Sequence, residues 1–319
     1  ELLQLGREFL FNWVKDELVA AEADMLPAKP ENDTDADYGR ADKGTAWLLL
    51  SRLYLNAGTY LNNDGSNNPY WQEAKEYAEK VINSDYKLFD DSKESAEAKA
   101  NGYKPYDLLF MGDNGSNGAS CEALLPLLQD GDKTQGWGGS LFFIAANWND
   151  KMATVTDKTA GTTGNNWSGM RLRPEFLQKF TKDPSIFLDK STSEIRAMGI
   201  DDRALIWGKG SDSDKRTIEL GDNSSFYQGL TTTKWNNNYS NNGTPHDTYN
   251  VDTDFFLFRV AEAYLNAAEA EMHLNGEGSA LAKQYVDAIR NRAHASTKAS
   301  YTLNDILDER AREFYCEGI

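Results

Sequence analysis

Four short segments in the middle of the chain combine tryptophan with amide, carboxylate or ammonium side chains. They lie at 135–139, 147–150, 165–168 and 234–239. An indole ring can stack on the apolar C–H face of a sugar, and Asn, Gln and Asp side chains can hydrogen-bond its hydroxyl groups. The pattern therefore indicates a surface for a polyhydroxylated ligand.

The candidate contact residues in these segments are Trp137, Trp167, Trp148, Asn165, Asn166, Trp235 and Tyr239. Trp137 lies among glycines and Trp167 among polar residues, and both settings disfavour burial, so these two rings are the preferred candidates. Trp235 is a weaker one, because Lys234 beside it belongs to a scaffold motif described below. For every ring the alternative is a core position, since tryptophan is on average a largely buried residue.

No catalytic signature accompanies these segments. The histidines lack the His-Glu-x-x-His spacing, and neither a nucleophile elbow nor a phosphate-binding or dinucleotide-binding glycine loop is present. A pair of carboxylates could act as acid and base on a glycosidic bond. With 50 acidic residues in the chain, however, finding candidates for such a pair carries no weight. We expect no catalytic residue and no cofactor.

Asp33, Asp35 and Asp37 alternate as at the start of an EF-hand loop, which makes them a weak calcium candidate. The pattern then fails, because Tyr38 stands where the loop needs glycine and Gly44 replaces the bidentate glutamate. A solvated acidic linker is the favoured interpretation, and we predict no metal site.

Composition excludes several classes of protein. The 319 residues include 33 basic and 50 acidic side chains, a net charge of −17, which repels nucleic acid and anionic lipid headgroups. Aromatic residues make up 12% of the chain, too many for a disordered acidic protein. The longest apolar stretch, 141–148, is shorter than half of a membrane span. Cys121 and Cys316 are either a single pair or two separate thiols.

Helical periodicity dominates both ends of the sequence. Apolar residues recur every three or four positions over 2–26, 45–59, 71–82, 258–274, 282–293 and 303–316. Small alanines opposite large aromatic residues within these segments are typical of tetratricopeptide-like helical hairpins. By contrast, 101–250 is rich in glycine and holds five of the eight tryptophans, with helical patterns only near 141–148 and 175–180. We predict a mainly α fold, with a hairpin scaffold over 1–100 and 251–319 and a loop-rich insertion over 101–250.

Several ordered motifs resemble the SusD/RagB family of nutrient-binding outer-membrane lipoproteins. They are YGRADK (38–43), AWLLLSRLYLNA (46–57), WQEA (71–74), RPEFL (173–177), DR (202–203), KW (234–235), FRVAEAYLN (258–266), IRNRA (289–293), ERAREF (309–314) and EG (317–318). The resemblance covers nearly the whole chain, and Phe314 stands where the family usually has leucine. These are scaffold motifs, so they transfer no ligand contact to this sequence.

The resemblance implies one SusD-like domain over 1–319 that captures glycan at the cell surface and delivers it to a SusC-like TonB-dependent transporter. It also implies an outer-membrane location through a lipid anchor. Neither a signal peptide nor an anchor cysteine is in this sequence, and we expect it to be a partial chain that lacks the family's N-terminal region and C-terminal end.

Two other classes of function remain as alternatives. A helical-repeat adaptor would bind a protein or peptide in its groove, but regular repeats should then continue through 101–250. An all-α glycan-degrading enzyme would need evenly spaced helices in the same region, and the sequence there lacks them. The resemblance also allows a member of the family that binds peptides or another nutrient.

Overall fold

In a computed structural model, the chain is described over residues 5–62, 67–211, 214–221, 225 and 227–318. The helices are α1 (Arg7–Ala21), α2 (Lys43–Leu55), α3 (Ala57–Asn62), α4 (Trp71–Ile82), α5 (Ala96–Ala100), α6 (Pro105–Leu108), α7 (Ser140–Asn147), α8 (Pro174–Leu177), α9 (Thr192–Arg196), α10 (Val260–Asn275), α11 (Ala280–Arg292) and α12 (Leu303–Phe314). The strands are β1 (Ala123–Leu127), β2 (Ile206–Trp207), β3 (Thr231–Thr232) and β4 (Phe255–Arg259). The mainly α fold predicted from the sequence is confirmed.

The longest helices from the two ends of the chain pack against each other. Helix α4 lies between α2 and α10, and α10 also packs on α11 and α12. Alanines at these contacts, among them Ala78, Ala261 and Ala268, are fully buried, which lets the helix backbones approach closely. The two predicted hairpins therefore form one continuous scaffold.

Local chemistry fixes where the scaffold helices begin. At the start of α2, the Asp42 carboxylate accepts a hydrogen bond from the Thr45 backbone N–H (3.0 Å) and another from the Tyr86 hydroxyl (2.9 Å). At the start of α12, Thr302 and Asp305 form a reciprocal capping box. Helix α10 ends before Gly276, whose φ of 89° is available to glycine at little cost.

Three boundaries differ from the prediction. The first helix spans Arg7–Ala21 rather than 2–26, and residues 2–4 lie outside the described part of the chain. The second helix breaks near Asn56 into α2 and α3. Phe258, predicted on a helical stripe, lies in β4 because it pairs with Leu125 of antiparallel β1. A strand running directly into a helix leaves no turn signal, so periodicity alone placed the boundary wrongly.

Residues 101–250 contain more short elements than the two helical patterns in the sequence indicated. Helices α6 and α9, two short 3-10 helices (Ala119–Glu122 and Pro184–Phe187) and the β2–β3 pair also lie there. Most are four or five residues long, too short to show a helical period in the sequence.

A buried network of ion pairs joins this middle region to the scaffold. Arg259, at the end of β4, contacts Glu122 (2.5 Å), Glu313 (3.0 Å) and Glu317 (2.7 Å), and all four side chains are essentially inaccessible to solvent. Its further members are Arg292 of α11, Glu309 of α12, and Arg203 and Lys234 of the middle region.

Glu313 is the centre of the network. Burial alone would raise the pKa of this carboxyl, but the guanidinium groups of Arg292, Arg259 and Arg203 hold it well below its usual range. Glu313 is therefore ionised throughout the neutral range.

We expect Glu313→Gln to lower the free energy of unfolding by about 3–5 kcal/mol, because it leaves buried guanidinium groups without their shared carboxylate. Urea denaturation followed by circular dichroism measures this change. Glu17→Gln on the exposed side of α1 is the matched control and should change stability by about 0.5 kcal/mol or less. Equal stability of the two variants would contradict a structural role for the network.

Candidate binding site

Three half-exposed aromatic rings from distant parts of the sequence meet on the surface. Trp137, Trp167 and Tyr249 expose 47%, 48% and 47% of their surface. The two indoles stack with ring centres 5.2 Å apart and planes inclined by 26°, and Tyr249 stands nearly perpendicular to Trp137 at 5.6 Å. We call these three residues the aromatic cluster.

Helix α7 positions Trp167. The backbone N–H of Trp167 donates to the carbonyl oxygen of Ala145 (2.7 Å), and that of Met170 donates to Ala146 (2.8 Å). Both carbonyls belong to the last turn of α7, where the helix offers them no internal partner. The segment carrying Trp167 is therefore attached to the end of a helix.

Tyr249 is held by its backbone. Its N–H donates to the Asp247 carboxylate, and its carbonyl oxygen accepts a hydrogen bond from the Asn165 side-chain amide. The Thr163 N–H donates to the Thr248 carbonyl (2.7 Å), so the segments carrying Trp167 and Tyr249 run side by side. Asn165 is fully buried in this role, and the prediction that it contacts ligand is wrong.

Trp137 lies in a stretch, 132–138, in which every residue is exposed. Gly136 and Gly138 on either side have open space where a side chain would point. Gly139 then turns the chain into α7 with a φ of 60°. The exposure that the sequence predicted for Trp137 and Trp167 is confirmed.

Asn166 supplies hydrogen-bonding groups beside the rings. Its side-chain amide is partly exposed and donates to the exposed carboxylate of Asp150 (2.8 Å). Since it directly precedes Trp167, an amide and a carboxylate lie next to the aromatic cluster. This combination of ring faces and polar groups suits a polyhydroxylated ligand.

Trp148 and Trp235 are core residues, contrary to the prediction that they contact ligand. They expose 1% and 2% of their surface. The Trp148 indole N–H donates to the Trp235 carbonyl and that of Trp235 to the Cys316 carbonyl, both at 2.8 Å. The Trp235 ring also stacks on Phe255 (5.2 Å). The apolar run 141–148 that precedes Trp148 was the sequence signal for burial.

Tyr239 is half-buried, and no ring contact joins it to the aromatic cluster within the described residues. Its hydroxyl donates to Asp252 (2.9 Å), and its ring lines an acidic cavity of about 440 Å³. Tyr249, which lies in the third segment of the cluster, was not among the residues predicted from the sequence. Its polar neighbours Thr248 and Asn250 resemble those of Trp167 and were an available signal.

One carboxyl group in the acidic cavity has a strongly shifted pKa. Burial raises the pKa of Asp254 to about 7, against the effect of hydrogen bonds from the Gln129 N–H (2.7 Å) and the Tyr38 hydroxyl (2.7 Å). The nearby carboxyls of Asp33 and Asp252 raise it further. Asp254 thus binds and releases a proton near neutral pH.

The calcium candidate does not assemble as a site. Asp35 accepts a hydrogen bond from the Asn32 N–H, Asp37 pairs with Arg40, and Asp33 is exposed. Among the described residues, a different group has the spacing of a metal site. The potential ligand atoms of Asp130, His246 and Asp252 lie within 4.8 Å of one another.

This group has the N and O ligand types of a metal site, but the Asp252 carboxylate already accepts hydrogen bonds from the protein. Its two carboxylate oxygens accept hydrogen bonds from Gly131 N–H (2.8 Å), the His246 ring (3.0 Å) and N–H (2.8 Å), and the Tyr239 hydroxyl (2.9 Å). Four donors use the full acceptor capacity of a carboxylate, so Asp252 fixes its surrounding loops in place.

Cys121 and Cys316 are separate free thiols. Burial raises the pKa of Cys121 to about 12 and that of Cys316 to about 11, which keeps both protonated and unreactive at neutral pH. In the portion of the chain that the structure describes, no helix combines the length and apolar character needed to cross a bilayer.

The structure is a helical scaffold that carries an irregular middle region with exposed aromatic rings, and comparison with known proteins gives its family. The model of the SusD family matches residues 121–319. The chain belongs to the SusD family.

Among curated proteins, the chain is 36% identical over 340 aligned positions to the starch-binding protein SusD of Bacteroides thetaiotaomicron. The alignment covers 97% of this chain and 55% of SusD, so the chain spans little more than half the length of that relative.

Among solved structures, similar folds include surface glycan-binding protein A from Bacteroides uniformis (20% identity, TM-score 0.59, 98% of this chain and 56% of that one). A second structure, determined with a xylogluco-oligosaccharide, has 20% identity and a TM-score of 0.61 and is matched over 96% of this chain and 54% of its own. A SusD-like protein from Bacteroides fragilis gives a TM-score of 0.61 at 20% identity, over 97% and 58% of the two chains. At these identities the likeness shows the fold alone.

We expect Trp235→Ala to lower the free energy of unfolding by about 3–5 kcal/mol, since it leaves a large cavity in the core. Trp137→Ala removes the same side chain from the surface and should cost about 1 kcal/mol or less, mainly its stacking on Trp167. Urea denaturation of both variants measures the difference. Similar costs for the two substitutions would contradict the assignment of one ring to the core and the other to the surface.

The raised pKa of Asp254 predicts a pH dependence of stability. Its ordinary pKa is about 3.9, so between about pH 4 and 7 the folded state holds this proton and the unfolded state has lost it. This group therefore lowers the free energy of unfolding as pH rises from 4 to 7. The midpoint of urea denaturation, measured from pH 5 to 8, should therefore fall less steeply with pH in Asp254→Asn than in the unsubstituted protein. The same pH dependence in both proteins would refute the raised pKa.

Proposed function

We propose that the chain binds glycans and that the aromatic cluster of Trp137, Trp167 and Tyr249 is the binding surface. The observation that carries the proposal is the exposure of three adjoining rings beside the Asn166 amide and the Asp150 carboxylate. A folded monomer buries most such rings, so a cluster left half exposed indicates a recognition surface.

The geometry defines how a sugar meets these rings. Trp137 and Trp167 each turn one face towards the other, since their planes are inclined by only 26° at a centre distance of 5.2 Å. About half of the surface of each of the three residues is open to solvent, and this part is what we propose contacts the C–H face of a pyranose. The neighbouring amide donates to sugar oxygens, and the carboxylate accepts hydrogen bonds from hydroxyl groups.

The relatives support the same class of ligand. The curated relative is named as a starch-binding protein, and one structural neighbour was solved with a xylogluco-oligosaccharide. We extend glycan binding to this chain and propose binding without catalysis, in keeping with the binding role of its family.

The proposal includes the setting that the family implies. The chain would act at the cell surface, attached to the outer membrane by a lipid anchor, and would deliver glycan to a SusC-like TonB-dependent transporter. We further propose that 1–319 forms one SusD-like domain in which the scaffold helices carry the 101–250 insertion.

The first experiment is affinity electrophoresis against soluble starch and xyloglucan, with reducing ends assayed in the same samples. We expect retardation without new reducing ends. New reducing ends would indicate a glycan-degrading enzyme and would overturn the proposal of binding alone. Absence of retardation by a wider panel of neutral and charged polysaccharides would contradict glycan binding.

Alanine substitution of Trp137, Trp167 or Tyr249 should each weaken binding about tenfold in Kd, or about 1.4 kcal/mol, because each removes a stacking ring. Isothermal titration calorimetry with the glycan that retards the protein measures the change. Trp13→Ala is the matched control, since Trp13 is also exposed (54%) but lies on α1. Equal binding by the control and the three cluster variants would place the site elsewhere.

A further inference from the structure

Carboxylates lie in each of the chain segments that carry the rings of the aromatic cluster. Beside Trp167, the exposed Asp150 is held by the Asn166 amide at 2.8 Å. Beneath Tyr249, Asp247 accepts the backbone N–H groups of both Tyr249 and Asn250. Negative charge is therefore built into the segments that position these rings.

The loop leading to Trp137 continues the pattern with Asp130 and Asp132. Lys133 in the same loop pairs with Asp130 at 2.8 Å, so its charge is already compensated. In the segments of the cluster at 130–139, 147–151, 161–167 and 247–250, the remaining lysine is Lys151, which directly follows Asp150. These segments therefore carry four carboxylates, Asp130, Asp132, Asp150 and Asp247, against the two ammonium groups of Lys133 and Lys151.

The net charge of the whole chain has the same sign as these carboxylates. The net charge of −17 gives the surface a negative potential, which repels anions approaching the cluster. At physiological ionic strength the repulsion acts over roughly 8 Å, so the carboxylates next to the rings contribute most of it.

Sugar hydroxyls and sugar carboxylates respond to this surface differently. A hydroxyl can donate a hydrogen bond to a carboxylate, and such charge-assisted bonds are strong. A uronate or sulfate group has no proton to donate at neutral pH, so beside Asp150 or Asp247 it would be both repelled and unmatched.

We propose that the aromatic cluster selects uncharged glycans and rejects polyanionic ones such as uronate-rich or sulfated polysaccharides. This inference depends on the proposed function, because it assigns the ligand class of the same surface. The carboxylates act as specificity determinants, and the rings supply binding that is common to all sugars.

The test compares two derivatives of one polymer, either soluble starch or xyloglucan, whichever retards the protein. A hydroxyethyl derivative is neutral, and a carboxymethyl derivative of equal substitution is anionic and similar in size. At about 20 mM salt we expect the Kd of the carboxymethyl polymer to be at least tenfold higher than that of the hydroxyethyl polymer. At about 0.5 M salt this ratio of Kd values should decrease, because the charges are screened. Equal or tighter binding of the carboxymethyl polymer, or a ratio insensitive to salt, would overturn the inference.

Charge variants localise the effect. Asp132→Asn combined with Asp150→Asn removes two exposed carboxylates from the segments that carry Trp137 and Trp167 and should reduce the difference in Kd between the two polymers at least threefold. Glu17→Gln combined with Asp24→Asn removes the same charge at exposed positions on α1 and just after it, and should leave the ratio unchanged. An equal effect of both pairs would assign the selectivity to net charge and would refute a role for the local carboxylates.

Failure of this inference can be distinguished from failure of the proposed function. If the carboxymethyl polymer binds well and Trp167→Ala abolishes that binding, the aromatic cluster is the site and the proposed selectivity is wrong. If binding of either polymer is unaffected by Trp137→Ala and Trp167→Ala, the site lies elsewhere and both proposals fail.

Discussion

The contact on which the rest of the structure depends is the buried cluster of Arg259 with Glu122, Glu313 and Glu317. An ionised side chain taken out of water without partners costs several kcal/mol, so none of these groups can be buried before the others arrive. They come from β4, from the 3-10 helix before β1, and from the end of α12 and the residues after it. These elements must therefore assemble together.

The same network holds the irregular middle region against the helices. Arg203 and Lys234 lie within 101–250, yet their side chains pair with Glu309 and Glu317 at the C-terminal end (2.7 and 2.5 Å). Burial lowers the pKa of Lys234 to about 8, and the Glu317 carboxylate opposes that shift. These ion pairs anchor the inner side of the middle region to the scaffold helices. The loops on its outer side carry side chains that face solvent.

The aromatic cluster uses that arrangement. Trp167 is attached to the last turn of α7, and Tyr249 is tied to the Trp167 segment through Asn165. Trp137 lies on an exposed loop that leads into the first turn of the same helix. Helix α7 thus adjoins the segments of both Trp137 and Trp167, one at its start and one at its end. The distance between these two rings therefore depends on the backbone of that helix and its hydrogen bonds.

The sequence by itself determined the helical scaffold, because apolar residues at a 3.6-residue period specify a buried face without reference to distant parts of the chain. It also indicated the exposure of Trp137 and Trp167, since glycine and polar neighbours leave a large ring little to pack against. It failed at Phe258, where pairing with Leu125 overrides the local period, and at Trp235, whose polar neighbours conceal a core position. It also failed at Trp148, although the apolar run 141–148 indicated burial. Only the tertiary structure brought Tyr249 beside Trp137 and gathered Arg259, Arg203 and Lys234 around Glu313 and Glu317. Each of these depends on contacts between residues far apart in the chain, and the spacing of neighbouring residue types carries no information about such contacts.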